Sequence, residues 1–135
     1  MHSNKSSDEP SKRTAKDLSI SHIKQTTANL LKIHTDSILI LQFGSAFFKA
    51  DDLLSSDFDI VLVLMFHSIK DTLSLTTTEE MRDQFFFKTL ARALRTENIL
   101  VYPVQQARNP ILKICFNYDK TQLWVDLSFS IVANT

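Results

Sequence analysis

LQFGSAFFKADDLLSSDFDIVLVL, Leu41 to Leu64, holds the only glycine of a 135-residue chain and sets two aspartates at the mouth of an apolar strand. Average usage would put about nine glycines in a chain of this length. The one position kept, Gly44, directly follows the buried-strand pattern SILILQF of Ser37 to Phe43 and so marks a sharp turn. A Gly-Ser turn opening a helix presents backbone N–H groups and a hydroxyl, a site suited to phosphate oxygens. The same residues also suit a plain strand-to-helix turn with Ser45 as its N-cap. Asp57 and Asp59 are two residues apart, so in extended chain both carboxylates leave the same side of FDIVLVLM. Aspartate is depleted in strands, and two like charges on one face repel. A divalent cation would relieve that repulsion, because Mg²⁺ takes a few carboxylate oxygens and completes its shell with water and phosphate. A turn cap at Asp57 with a solvated strand end at Asp59 is the other reading.

Outward from this segment the chain reads as one α/β domain. Met1 to Lys16, MHSNKSSDEPSKRTAK, is polar and is expected to be a disordered tail, leaving residues 17–135 as the domain. Ile20, Ile23, Thr27, Leu30 and Leu31 recur at helical spacing and predict a helix from Asp17 to about His34. Thr77 with Glu80 makes a capping box for a helix whose Phe87, Leu90, Ala91 and Leu94 share one face, running to about Glu97. Three strand-like runs follow, ILVYPVQQ from Ile99, ILKICFNY from Ile111 and QLWVDLSFS from Gln122, the last two joined by DKT as a hairpin would be. The order predicts a mixed sheet of about five strands with helices packed on one face.

Composition narrows the function classes. Fifteen basic and 15 acidic side chains balance, so charge gives no global sign of nucleic-acid or membrane binding. Cys115 is the only cysteine, which excludes an internal disulfide framework or a cysteine-based metal site. The apolar runs, such as IVLVLMF, fall far short of the ~18 residues of a membrane span, and no hydrophobic signal core begins the chain. An intracellular location, cytoplasmic or nuclear, is the expectation. His22, His34 and His67 lack metal-ligand spacing; Phe85 to Phe87, Phe47 and Phe48 read as core; Lys88, Arg92 and Arg95 read as a solvated helix face. Trp124 is expected to pack at a sheet edge rather than to read RNA.

A third carboxylate gives the first two a context. In LWVDLSFS, alternation puts Val125, Leu127 and Phe129 on one face and Trp124, Asp126, Ser128 and Ser130 on the other. If this strand lies beside FDIVLVL, three carboxylates converge, enough for two Mg²⁺ ions in a phosphoryl or nucleotidyl displacement.

Phe43-Gly44-Ser45, then Ser56-Asp57-Phe58-Asp59 before an apolar strand, then Val125-Asp126-Leu127-Ser128-Phe129 resembles the catalytic palm of the DNA polymerase beta-like nucleotidyltransferases. The branch it resembles is that of the noncanonical poly(A) polymerases and terminal uridylyltransferases. ARNPILKI, Ala107 to Ile114, is similar to the Ala-Arg-Val-Pro-Ile segment with a nearby lysine that precedes the third aspartate in that branch. The resemblance implies a nucleotidyltransferase that adds nucleotides from a nucleoside triphosphate to an RNA 3′ end by a two-metal mechanism with Mg²⁺ or Mn²⁺. It implies Asp57, Asp59 and Asp126 as catalytic metal ligands and Gly44 with Ser45 as holders of the nucleotide phosphates. Family members continue into a helical domain where this sequence reads SIVANT, so the expectation is a catalytic palm that a helical domain or subunit completes. An inactive palm used for binding or scaffolding, or a transferase with a non-RNA acceptor, is the alternative.

Overall fold

A computed structural model describes residues 8–42, 58–65, 77–106 and 108–132. The first element, α1, runs Asp8–Leu31. Its start corrects the expectation of a disordered stretch up to Lys16, since residues 8–16 are helical. The reason is a buried stripe at four-residue spacing, Ala15, Ser19, Ile23, Thr27 and Leu31, whose first two members are too small or polar to register as hydrophobic periodicity. The Ser19 hydroxyl is satisfied by donating to the Lys16 carbonyl at 2.8 Å. The helix stops at Leu31 rather than near His34 because Lys32 turns left-handed at φ 57°.

After a 3-10 turn at Thr35–Ser37 come β1, Ile38–Gln42, and β2, Phe58–Met65. The expected short helix after Gly44, with Phe47 and Phe48, lies outside the described residues, as does His67. A continuous helical stretch follows, made of α2, Thr78–Met81, a π-helical segment Arg82–Leu90, and α3, Ala91–Thr96. The capping box at its start is present: the Glu80 N–H donates to the Thr77 hydroxyl at 3.0 Å, and the Thr77 N–H donates to the Glu80 carboxylate at 3.2 Å. The π segment has a sequence cause. Phe85, Phe86 and Phe87 are consecutive and all buried, and the wider π turn, with its i→i+5 bonding, advances each residue by a smaller angle than an α-turn. Three successive rings can therefore face one core.

The last strands are β3, Leu100–Val104, β4, Ile111–Tyr118, and β5, Thr121–Val132. The five form one mixed sheet in the order β1-β2-β5-β4-β3, with β2 and β5 parallel and the other neighbours antiparallel. Pro103 is tolerated because β3 is an edge strand. The β4–β5 hairpin turns on Asp119 and Lys120, with Asp119 at φ 60°, a conformation aspartate tolerates.

One face of the sheet is covered. Ile38, Ile60, Leu62, Leu64, Leu112, Ile114, Val125 and Leu127 are buried in one cluster with Ile23 and Leu31 of α1 and with Met81, Phe85, Phe86, Leu90 and Leu94 of the second helical stretch. Phe86 stacks on Phe129 with ring centroids 5.0 Å apart. Period-2 alternation sends the remaining strand residues to the opposite, open face.

Candidate functional site

The open face carries the charges. In β2, Phe58, Ile60, Leu62 and Leu64 point into the core, so Asp59 points out; in β5, Val125 and Leu127 are buried, so Asp126 points the same way. The parallel register sets Asp59 directly opposite Asp126. Adjacent strands lie about 4.8 Å apart, and two carboxylates at ~5 Å oppose one another by roughly 3 kcal/mol at an effective dielectric of ~20. The repulsion is answered in part from β4. Lys113 pairs in register with Asp126, and its Nζ donates to Asp126 Oδ1 at 2.8 Å. Both side chains keep some solvent contact, 37% exposed for Lys113 and 22% for Asp126, which lowers the desolvation cost of holding these charges on a sheet.

The row extends one strand further, because Lys113 is paired with Tyr102 of β3. Asp59, Asp126, Lys113 and Tyr102 thus cross four strands in a line on one face. One row along, Trp124 lies opposite Cys115, and the Trp124 and Tyr102 rings stack with centroids 6.2 Å apart and planes 23° from parallel. This corrects the expectation that Trp124 packs at a sheet edge: β5 is the central strand, flanked by β2 and β4. Burial raises the Cys115 thiol pKa against a lowering hydrogen bond from Gln122, so the thiol stays protonated and inert.

Of the five residues singled out in the sequence, the structure places Asp59 and Asp126 side by side; Gly44, Ser45 and Asp57 lie outside the described residues. Gln42, the last residue of β1, is paired with Ile60, so β1 ends at the same end of the sheet as the two aspartates. The Lys16 ammonium, on the residue expected to close a disordered tail, sits 5.1 Å from the centre of the Phe58 ring, next to Asp59 in sequence. No group of three or more metal-ligating side chains occurs among the described residues. The two carboxylates that are described offer hard oxygen donors on an accessible face, which fits Mg²⁺ or Mn²⁺.

Lys113, the lysine of the ARNPILKI resemblance, and Tyr102 join the site although neither was assigned to it, and for Lys113 a further signal existed. The two-residue turn at Asp119 and Lys120 fixes the hairpin register, so each step back from Tyr118 is matched by one forward from Thr121, and Lys113 must face Asp126. His22 bonds Glu97, 75 positions along the chain, and the His34 Nδ1 accepts from the Asp36 N–H at 3.1 Å, both structural contacts. Lys88, Arg92 and Arg95 are exposed on their helix face, and Arg95 also donates from Nη2 to the Val101 carbonyl at 3.0 Å. No described helix is long and apolar enough to cross a membrane.

Comparison with known proteins agrees with this arrangement. A search of curated proteins finds no match. Among solved structures, Cid1, described for its RNA terminal uridylyl transferase activity, superposes with TM-score 0.55 at 16% identity over 88% of this chain and 31% of its own. A cytoplasmic RNA terminal U-transferase gives 0.52 at 16% identity over 88% and 29%. Cid1 poly(U) polymerase with MgGTP bound gives 0.54 at 15% identity over 84% and 31%. These likenesses establish the nucleotidyltransferase palm fold, and the chain spans about a third or less of each relative's length. The family profile described as poly(A) RNA polymerase, mitochondrial-like, central palm domain matches residues 2–133, and the chain belongs to that family.

Proposed function

We propose that this chain is the palm of an RNA 3′-terminal nucleotidyltransferase, adding adenylate or uridylate from a nucleoside triphosphate. The observation that carries the reading is the Asp59–Asp126 register pair on the open face of the sheet. Two strands with otherwise apolar cores place two carboxylates side by side on an accessible face, a pair of hard oxygen donors suited to a divalent cation. Two Mg²⁺ ions, when bound, would neutralise the triphosphate and favour the ionised RNA 3′-hydroxyl. Asp59 and Asp126, together with Asp57, are the residues proposed to hold them, and Gly44 with Ser45 are proposed to hold phosphates. The relatives named above, studied with Mg-nucleotides or as RNA terminal transferases, support this choice of nucleotide, cation and acceptor. Within this chain, Lys113 fixes the Asp126 carboxylate, and the rigid sheet holds both aspartates in place, so alignment rather than covalent help is what the palm contributes. Selection between ATP and UTP is proposed to come from a helical domain or subunit facing the open sheet.

The test is extension of a labelled RNA primer with each of the four nucleoside triphosphates and Mn²⁺. It compares the chain, the chain fused after Thr135 to a helical domain of the family, and that fusion carrying Asp57→Ala. The fusion should extend the primer with base preference, the bare chain slowly and without preference, and the Asp57→Ala fusion not at all. A folded fusion that binds Mn²⁺ yet never extends RNA would overturn the reading in favour of a binding palm or another acceptor.

A further inference from the structure

We infer that the Tyr102–Trp124 pair is a stacking platform for the single-stranded RNA acceptor, holding bases just upstream of the reacting 3′ end. The inference rests on the transferase reading and adds to it a surface for the acceptor strand. Tyr102 is 50% exposed on the face that the described helices leave open, and its ring lies nearly parallel to that of Trp124. A planar aromatic pair held on a sheet is a surface on which bases stack with little regard to sequence. Its position suits the acceptor. Tyr102 is two strands from Asp126 in the same row, about 10 Å away, and Trp124 is two residues from Asp126 along β5, about 7 Å away. Those distances place the platform beside the carboxylates and clear of them.

Two cationic side chains stand along the same path, one of them, Lys113, paired with Asp126. Lys113 lies between the carboxylates and Tyr102, and at the outer edge of β3 an open depression of about 400 Å³ is lined by Arg95, Asn98, Ile99, Leu100, Val101 and Tyr102. Arg95 is held there by its bond to the Val101 carbonyl, and a guanidinium has five donors, more than that one bond uses. A strand leaving the carboxylates would meet an ammonium, two stacked rings and a guanidinium in that order, the combination of π-faces and cations that tracks a nucleic-acid backbone.

Trp124 is the only tryptophan of the chain, so its emission reports on the platform without a label. The experiment titrates the chain with a short oligo(A) and with an RNA duplex of equal length. It reads Trp124 fluorescence, and it measures affinity by anisotropy of labelled RNA for wild type, Tyr102→Ala and Tyr102→Phe. Single-stranded RNA should quench Trp124 more than duplex does. Tyr102→Ala should weaken binding roughly 5- to 100-fold, while Tyr102→Phe, which keeps the ring, should bind as wild type. Circular dichroism confirms that the variants fold, as expected for an exposed edge position.

Oligo(A) binding that leaves Trp124 emission unchanged and is equal in Tyr102→Ala would overturn the platform while leaving the transferase reading intact. Equal quenching by duplex, or no binding of single strands, would overturn it as well; primer extension judges the transferase reading separately. A blue shift of Trp124 that grows with protein concentration in the absence of RNA would assign the rings to a protein contact and overturn the proposal.

Discussion

Replacing Lys113 by methionine should destabilise the fold while making it more responsive to divalent cations. The side chain ends 2.8 Å from Asp126 Oδ1, and Asp126 lies opposite Asp59. A fully exposed pair contributes about 0–1 kcal/mol, and removing one partner of a fully buried pair costs about 3–5 kcal/mol. With 37% and 22% of the two side chains exposed, this pair falls between those limits, at about 2 kcal/mol. In a domain of this size that loss lowers the melting temperature by roughly 5–10 °C. The same substitution removes a positive charge that competes for Asp126 oxygens, so Mn²⁺ should stabilise the variant more than wild type. A tenfold gain in affinity would add about 1.4 kcal/mol at saturating metal. The assay is thermal melting by circular dichroism at low salt, with and without millimolar Mn²⁺, on wild type, Lys113→Met, Asp126→Asn and the double variant. The Asp126→Asn proteins should respond weakly to Mn²⁺, and the cycle should show coupling between the two positions. If Lys113→Met melts with wild type and shifts equally with Mn²⁺, Lys113 neither fixes the carboxylate nor competes with metal, and the reasoning fails.

Phe86→Ala should cost about 3–5 kcal/mol in urea unfolding, because Phe86 is fully buried and stacked on Phe129 in the centre of the core. Thr77→Ala removes one half of the capping box and should cost about 1 kcal/mol by the same measurement, with Thr77→Ser close to wild type. Burial pushes the Tyr118 hydroxyl up to about 12, so the folded state keeps its proton where the unfolded chain loses it. That contribution is fully present below about pH 10 and is lost as pH rises through about 12, and Tyr118→Phe should flatten the alkaline decline seen in melts across that range. Since the Tyr118 hydroxyl oxygen is buried and has no hydrogen-bond partner among the described residues, the phenylalanine variant should also be no less stable at neutral pH.

The sheet and its charged row were legible to different depths. Alternation in QLWVDLSFS puts Asp126 and Trp124 on one face, and the apolar run FDIVLVLM defines β2, because period-2 burial is a local property of the chain. Which strands adjoin is not local. The hairpin with β4 and the carboxylate argument for β2 as a neighbour together imply a central β5, and the edge expectation for Trp124 follows instead from its large amphipathic ring alone. The start of α1 escaped for another reason: Ala15 and Ser19 bury without being strongly apolar, and only the helix they meet reveals the stripe. The π segment is likewise invisible to a template built on α-helical periods, though three adjacent phenylalanines are the clue that such a template misfits. For the site, the aspartate pair and its cation chemistry followed from charge in strands, while Lys113 required counting the hairpin register, and Tyr102 required a second register beyond it.

The central placement of β5 also dictates an order of events in time. β1 with β2, and β3 with β4, are pairs of sequence neighbours that can form as soon as they are made, but neither pair touches the other within the sheet. Both seams wait for β5, the last of the five strands to leave a ribosome, and one of them joins residues as far apart as Ile60 and Ser128, 68 positions along the chain. Closing so distant a contact is the slow step expected of such a topology, and until it happens β2 and β4 each present an unpaired edge open to misassociation. Since Asp126 rides on that final strand, the carboxylate pair comes into being only when the sheet itself is completed. A partly folded chain therefore carries a hydrophobic hazard without carrying the site, and anything that captures β2 before β5 arrives removes both together.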